Sequence, residues 1–102
     1  MTIEKITVPA KPGLDPVYVY LEDLGPSEGR VTLICYATAW TSWWGGIGKD
    51  RLIKDFFIDV GVDYLHSNFG RGNEYKRDQR SLAYLRRVIQ SVHDHLREAT
   101  ND

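Results

Sequence analysis

The chain has 102 residues, of which 42% are hydrophobic and 26% charged, with a net charge of −1. That length makes a single domain, and size scaling lets it bury about 65% of its unfolded surface, enough for a core without disulfides or metals. Near-neutral charge excludes a global field drawing in nucleic acid or an anionic membrane, and the ordinary apolar fraction excludes wholesale disorder.

Thr2 to Val8 alternates apolar and polar residues up to Pro9 and reads as a short strand. Ala10 to Pro16 holds Pro12, Gly13 and Pro16 and reads as a loop. Val17–Leu24 and Arg30–Thr38 are rich in Val, Ile, Thr and Tyr, and Gly25-Pro26-Ser27-Glu28-Gly29 between them has hairpin length. Their alternation predicts two faces. Val17, Val19, Leu21, Val31, Leu33 and Cys35 form an aliphatic one that packs on helices. Tyr18, Tyr20, Glu22, Thr32, Ile34 and Tyr36 form a half-wet one.

Beyond Thr38 comes Trp40-Thr41-Ser42-Trp43-Trp44-Gly45-Gly46-Ile47-Gly48-Lys49-Asp50, which holds every tryptophan of the chain. It reads as a shaped corner where sheet gives way to helix. Leu52, Ile53, Phe56, Phe57 and Val60 then follow a helical period, with Asp50 as N-cap and Gly61 as stop. Val62–Phe69 reads as a short second helix, and residues 70–77 as a polar loop. From Asp78 or Ser81 onward, Leu82, Leu85, Val88, Ile89, Val92 and Leu96 make the apolar stripe of a last helix. Strands first and helices after is the α+β signature: a three-stranded antiparallel sheet with two or three helices on one face. The expected organisation is one domain over 1–102, with sheet to 38, corner over 39–49, helices over 50–97 and a frayed tail over 98–102.

Cys35 stands alone, which forbids an internal disulfide, and its apolar strand makes it a buried hydrophobe before a thiolate nucleophile. No apolar run approaches the ~20 residues of a membrane span, and Met-Thr-Ile-Glu-Lys is no signal peptide. A reducing cytoplasm is expected. Gly45–Asp50 sits where phosphate loops live, but Trp43 replaces the first glycine of that motif and Asp50 its hydroxyl. A tight turn is expected instead, whose amides could still grip an anion or a partner's carboxylate. His93 and His95 are two apart and cannot share a helix face. Asp59 and Asp63 lack a third ligand, and no nucleophile elbow occurs. The expectation is no catalytic residue, no metal and no cofactor.

The aromatic and basic residues suggest binding instead. Trp43 and Trp44 are adjacent, so in extended chain they point to opposite sides and at least one reaches the surface. Tryptophan, tyrosine and arginine dominate interface energetics. The chain is acidic at its front and basic behind, where Arg77, Arg80, Arg86 and Arg87 flank the last helix with Tyr84 among them. The expected partner-binding set is therefore Trp40, Trp43, Trp44, Tyr18, Tyr20, Tyr36, Arg77, Arg80, Tyr84 and Arg87. A protein partner comes first and single-stranded nucleic acid second, using the same aromatics for stacking; no membrane is expected, and a homodimer is open.

The stretch Val31-Thr32-Leu33-Ile34-Cys35-Tyr36 through Trp40-Thr41-Ser42-Trp43-Trp44-Gly45-Gly46-Ile47-Gly48, with Phe56-Phe57 and Asp63-Tyr64-Leu65, resembles a group of small uncharacterised proteins encoded by bacteriophages and prophages. The resemblance covers about half the chain. It implies a phage product working inside a bacterium, of the kind that binds and blocks a host machine such as a CRISPR effector complex. It brings no functional residues with it.

Overall fold

Period-two alternation continues further along the chain than its turn signals suggest. The computed structural model describes residues 1–71 and 79–101. Among these are four strands, β1 (Thr2–Val8), β2 (Val17–Gly25), β3 (Glu28–Cys35) and β4 (Thr38–Gly45), followed by three helices, α1 (Ile53–Asp59), α2 (Val62–Arg71) and α3 (Gln79–Asn101). They form an antiparallel meander in the order β1-β2-β3-β4. The fold is α+β as expected, with four strands rather than three, and most of the expected corner over 39–49 is the fourth strand.

The strand expected over Arg30–Thr38 breaks at Cys35, which pairs with Thr38 across a two-residue loop, Tyr36-Ala37. Such loops are normally marked by Gly, Asn or Asp, because a central residue takes positive φ. Here Tyr36 takes it, at +57°, and the sequence carries no turn signal. Tyr36 therefore stands at a hairpin tip and not on the strand face where alternation placed it. The β2–β3 loop reduces to Pro26-Ser27, with Ser27 at φ +63°.

One face of the sheet is aliphatic and sealed. Val8, Val17, Val19, Leu21, Val31, Leu33, Cys35, Trp40 and Trp44 meet Ile53, Phe57, Leu65, Phe69 and the α3 stripe Leu85, Val88, Ile89, Val92 and Leu96 in a continuous core. α1 lies directly on β3: a Cβ built at Gly29 would stand 2.6 Å from the Ile53 Cβ. Glycine at this strand position is a packing requirement.

The first helix is capped from a distance. Asp50 sits at φ +59°, outside capping geometry, and Leu52 occupies the N-cap position without a side-chain bond. The Ile53 amide instead donates to Asp23 Oδ1 of β2 at 2.7 Å. Gly61 does not stop α1 with a left-handed residue; the Val60 backbone is extended, and the Gly61 carbonyl accepts the first bond of α2 from the Leu65 amide at 3.1 Å. Asp23→Ala is expected to lower stability by about 1 kcal/mol, as cap removal does, while Asp50→Ala changes it by less than about 0.5 kcal/mol. Urea denaturation of the two variants checks this.

Two histidines tie the helices together. His66 Nε2 lies 2.8 Å from the Leu82 carbonyl. His93, buried on α3, directs Nε2 at the Ile58 and Val60 carbonyls, 3.0 and 2.9 Å away. Two acceptors require that this nitrogen carry the proton. α3 runs on to Asn101, past the frayed end expected after Arg97. Of the loop expected over 70–77, Gly70 and Arg71 belong to α2, and the remainder, like Asp78, lies outside the described residues.

Candidate functional site

The second face of the sheet has no helix on it among the described residues. Register sets its rows. Thr7, Tyr18, Ile34 and Ala39 form one; Lys5, Tyr20, Thr32 and Thr41 the next; Ile3, Glu22, Arg30 and Trp43 the third. Lys5 Nζ stands 5.1 Å from the Tyr18 ring centroid and 5.9 Å from that of Tyr20, within cation–π range of both. The Thr32 and Thr41 hydroxyls meet at 3.2 Å. Arg30 grips Glu22 with two bonds of 2.8 Å, and this guanidinium holds the Glu22 carboxyl below the usual range.

The tryptophans divide across the sheet. Trp40 and Trp44 point inward and are 5% and 6% exposed; Trp43 points outward and is 56% exposed. Alternation within β4 forces this split. Trp43 is nevertheless held in place. Its indole N–H donates to Glu28 Oε2 at 2.9 Å. Its ring lies over Gly45, where a Cβ would come within 2.8 Å of Cη2. An apolar plate is thus fixed through its N–H with its outer edge over Gly45, so little rotamer entropy is lost when a partner covers it.

The other expected site residues do not join this face. Tyr84, on α3, stacks against Trp40 on the helix side, with ring centroids 5.7 Å apart. Burial, reinforced by a hydrogen bond with the neighbouring Cys35 thiol, pushes its hydroxyl up to about 12. Arg87 is tied to the β1–β2 connection through a 2.7 Å bond to the Gly13 carbonyl. Arg86 pairs with Asp63 of α2. Arg80 is exposed at the start of α3, Tyr36 stands at the hairpin tip, and Arg77 lies outside the described residues. Tyr18, Tyr20 and Trp43 share the bare face; Trp40, Trp44, Tyr84 and Arg87 lie on the helix side. Lys5, Glu28, Arg30, Thr32 and Thr41 lie on the bare face as well, outside the expected set. Alternation around Tyr18 and Tyr20 could have found the β1 and β3 members had the register been known.

The glycine turn is occupied from within. The Ser27 carbonyl accepts from the Gly46 and Ile47 amides at 2.7 and 3.1 Å, and its hydroxyl accepts from the Gly48 amide at 3.0 Å. The amides of Gly46, Ile47 and Gly48, three of those expected to be able to grip an anion, are spent on Ser27. The segment is a closed turn, with Gly46 and Gly48 supplying positive φ. Among the described residues no three His, Cys, Asp or Glu side chains gather around a point that could hold a metal, and no helix is long and apolar enough to cross a membrane.

An antiparallel four-stranded sheet backed by three helices on one side, with tyrosine and tryptophan on the other, defines the class of this molecule. Residues 1–100 match the model of a family described as a phage family, and the chain belongs to that family. No curated protein and no solved structure matches it.

Proposed function

We propose that this phage protein works by binding and not by catalysis, docking on a host protein complex in the bacterial cytoplasm and occluding it; a defence complex such as a CRISPR effector is one target of that kind. The observation that supports the reading is Trp43, an aromatic plate more than half exposed and pinned by Glu28 over Gly45. Tyr18, Tyr20, Ile34 and Ile3 are further apolar members of the same face, and Lys5 and the Arg30–Glu22 pair, which lies between Ile3 and Trp43, supply polar contacts. Anchors of this type carry most of the energy of a protein interface.

The charge of the face favours a protein over a nucleic acid. Lys5 and Arg30 are balanced by Glu22 and Glu28, and Arg30 is already paired. A surface that releases few counterions has little affinity for phosphate backbones. Trp43→Ala is expected to weaken the complex with its host partner by about 30-fold or more, the effect of losing a 2 kcal/mol anchor. Stability should change by less than about 0.5 kcal/mol, as for other surface substitutions. Capture from infected cells, followed by titration of the purified partner against both proteins, makes the measurement. Undiminished affinity in the variant defeats the reading, and quenching of Trp43 fluorescence by single-stranded DNA at low salt replaces it with nucleic-acid binding.

A further inference from the structure

We propose that β4 is the seam of a homodimer, in which two copies of this strand pair antiparallel about a twofold axis at Thr41. The inference does not rest on the proposed host partner. Cys35 and Thr38 close a two-residue loop, and the Thr41 hydroxyl reaches the Val31 carbonyl at 3.3 Å, so that carbonyl points toward β4. Trp40, Ser42 and Trp44 therefore direct their backbone N–H and C=O groups at β3, and Ala39, Thr41 and Trp43 direct theirs outward. Among the described residues no strand pairs with β4 on that side.

Edge strands are usually blunted by charge, proline or a bulge. β1, the opposite edge, carries Glu4 and Lys5 and ends at Pro9, whereas Thr38–Gly45 has no charged residue and no proline. Pairing β4 with itself therefore opposes no like charges. The side-chain sizes are self-complementary as well. With Thr41 facing its own copy, Ala39 faces Trp43 on the bare face, and Ser42 faces Trp40 and Thr38 faces Trp44 on the helix side. Every tryptophan meets a small residue. The register also satisfies the outward backbone groups, because Ala39, Thr41 and Trp43 all fall in hydrogen-bonded pairs. The Thr32–Thr41 contact would continue across the axis as a four-threonine row, a favourable cross-strand arrangement. Such an isologous contact closes on itself and makes one eight-stranded sheet. Strand pairing alone buries less than the ~800 Å² per partner of a standard interface, so the dimer is concentration-dependent, with a dissociation constant on the order of micromolar.

Sedimentation velocity of the full chain across micromolar concentrations is the test. The wild type is expected to shift from monomer to dimer. Thr41→Lys and Thr41→Glu, each placing like charges on the axis, are each expected to stay monomeric with a cooperative melt, and their equimolar mixture to recover the dimer. A Thr41→Cys chain should also cross-link through the new thiol on oxidation, since Cα atoms in a hydrogen-bonded pair lie about 5.5 Å apart, whereas Thr7→Cys on the other edge should not. A wild type that stays monomeric throughout overturns the proposal. So does a dimer that survives both charged variants, or a mixture that fails to restore it. Sedimentation of the purified chain contains no host protein, so the presence or absence of the dimer is read independently of host capture, which separates this inference from the proposed function.

Discussion

Trp44→Ala is expected to cost about 3–5 kcal/mol, the range for deleting a large buried aromatic, out of a total stability of about 5–15 kcal/mol for a domain of this kind. Trp44 is buried, with its ring 5.5 Å from that of Phe56 and 5.7 Å from that of Phe69. It is the point at which the phenylalanines of α1 and α2 both land on β4. Truncation leaves a cavity shared by both helices and removes two aromatic contacts at once. Thermal melting should show a drop of roughly 15 °C or more. Trp44→Phe is expected to cost much less. It keeps a ring between Phe56 and Phe69 and removes an indole N–H that is buried without a partner among the described residues. Trp43→Ala, one residue away, should leave the melting curve nearly unchanged. A loss at Trp43 as large as at Trp44 would show that the outward ring is structural.

Gly29→Ala is expected to destabilise by about 1–3 kcal/mol, the range for overpacking a filled core. The added methyl would meet Ile53 Cβ at 2.6 Å and Cδ1 and Cγ1 at 2.7 Å, and Ile53 is fully buried. The nearest contact is the Cβ, which any residue but glycine at position 53 retains, so a side-chain rotation cannot relieve it. α1 itself has to move away from β3, and that movement pulls the Ile53 amide from Asp23. Ile53→Ala therefore should not rescue Gly29→Ala, and the double variant is expected to be less stable than either single one. Chemical denaturation of the four proteins decides it; a rescue would mean that helix and strand have slack between them. Gly45→Ala gives the contrast, since its added methyl meets the outer end of the exposed Trp43 ring, which can swing aside.

Much of the architecture was legible in the chain because alternation and helical period are local quantities. The aliphatic set Val17, Val19, Leu21, Val31, Leu33 and Cys35 is buried as its period requires, and the α3 stripe from Leu85 to Leu96 faces the same core. β4 was hidden because Tyr36 does the work of a turn glycine, so β3 and β4 read as strand followed by corner. The candidate site was legible only in part. Adjacency required Trp43 and Trp44 to diverge, but with no register nothing in the chain said which one faced out, or that Tyr84 and Arg87 lay on the other side of the sheet.

The sequence by itself determined the α+β class, the buried face of the central strands, the amphipathic final helix and the divergence of the adjacent tryptophans, since each follows from spacing within one element. Only the tertiary structure decided that Trp43 shares a bare face with Tyr18 and Tyr20, that Asp23 caps a helix thirty residues on, and that Ser27 closes the glycine turn. The physical reason is that these relations depend on strand register and on helices docking over β3 and β4. Register is set by pairing between distant segments, and no local pattern of residues encodes it.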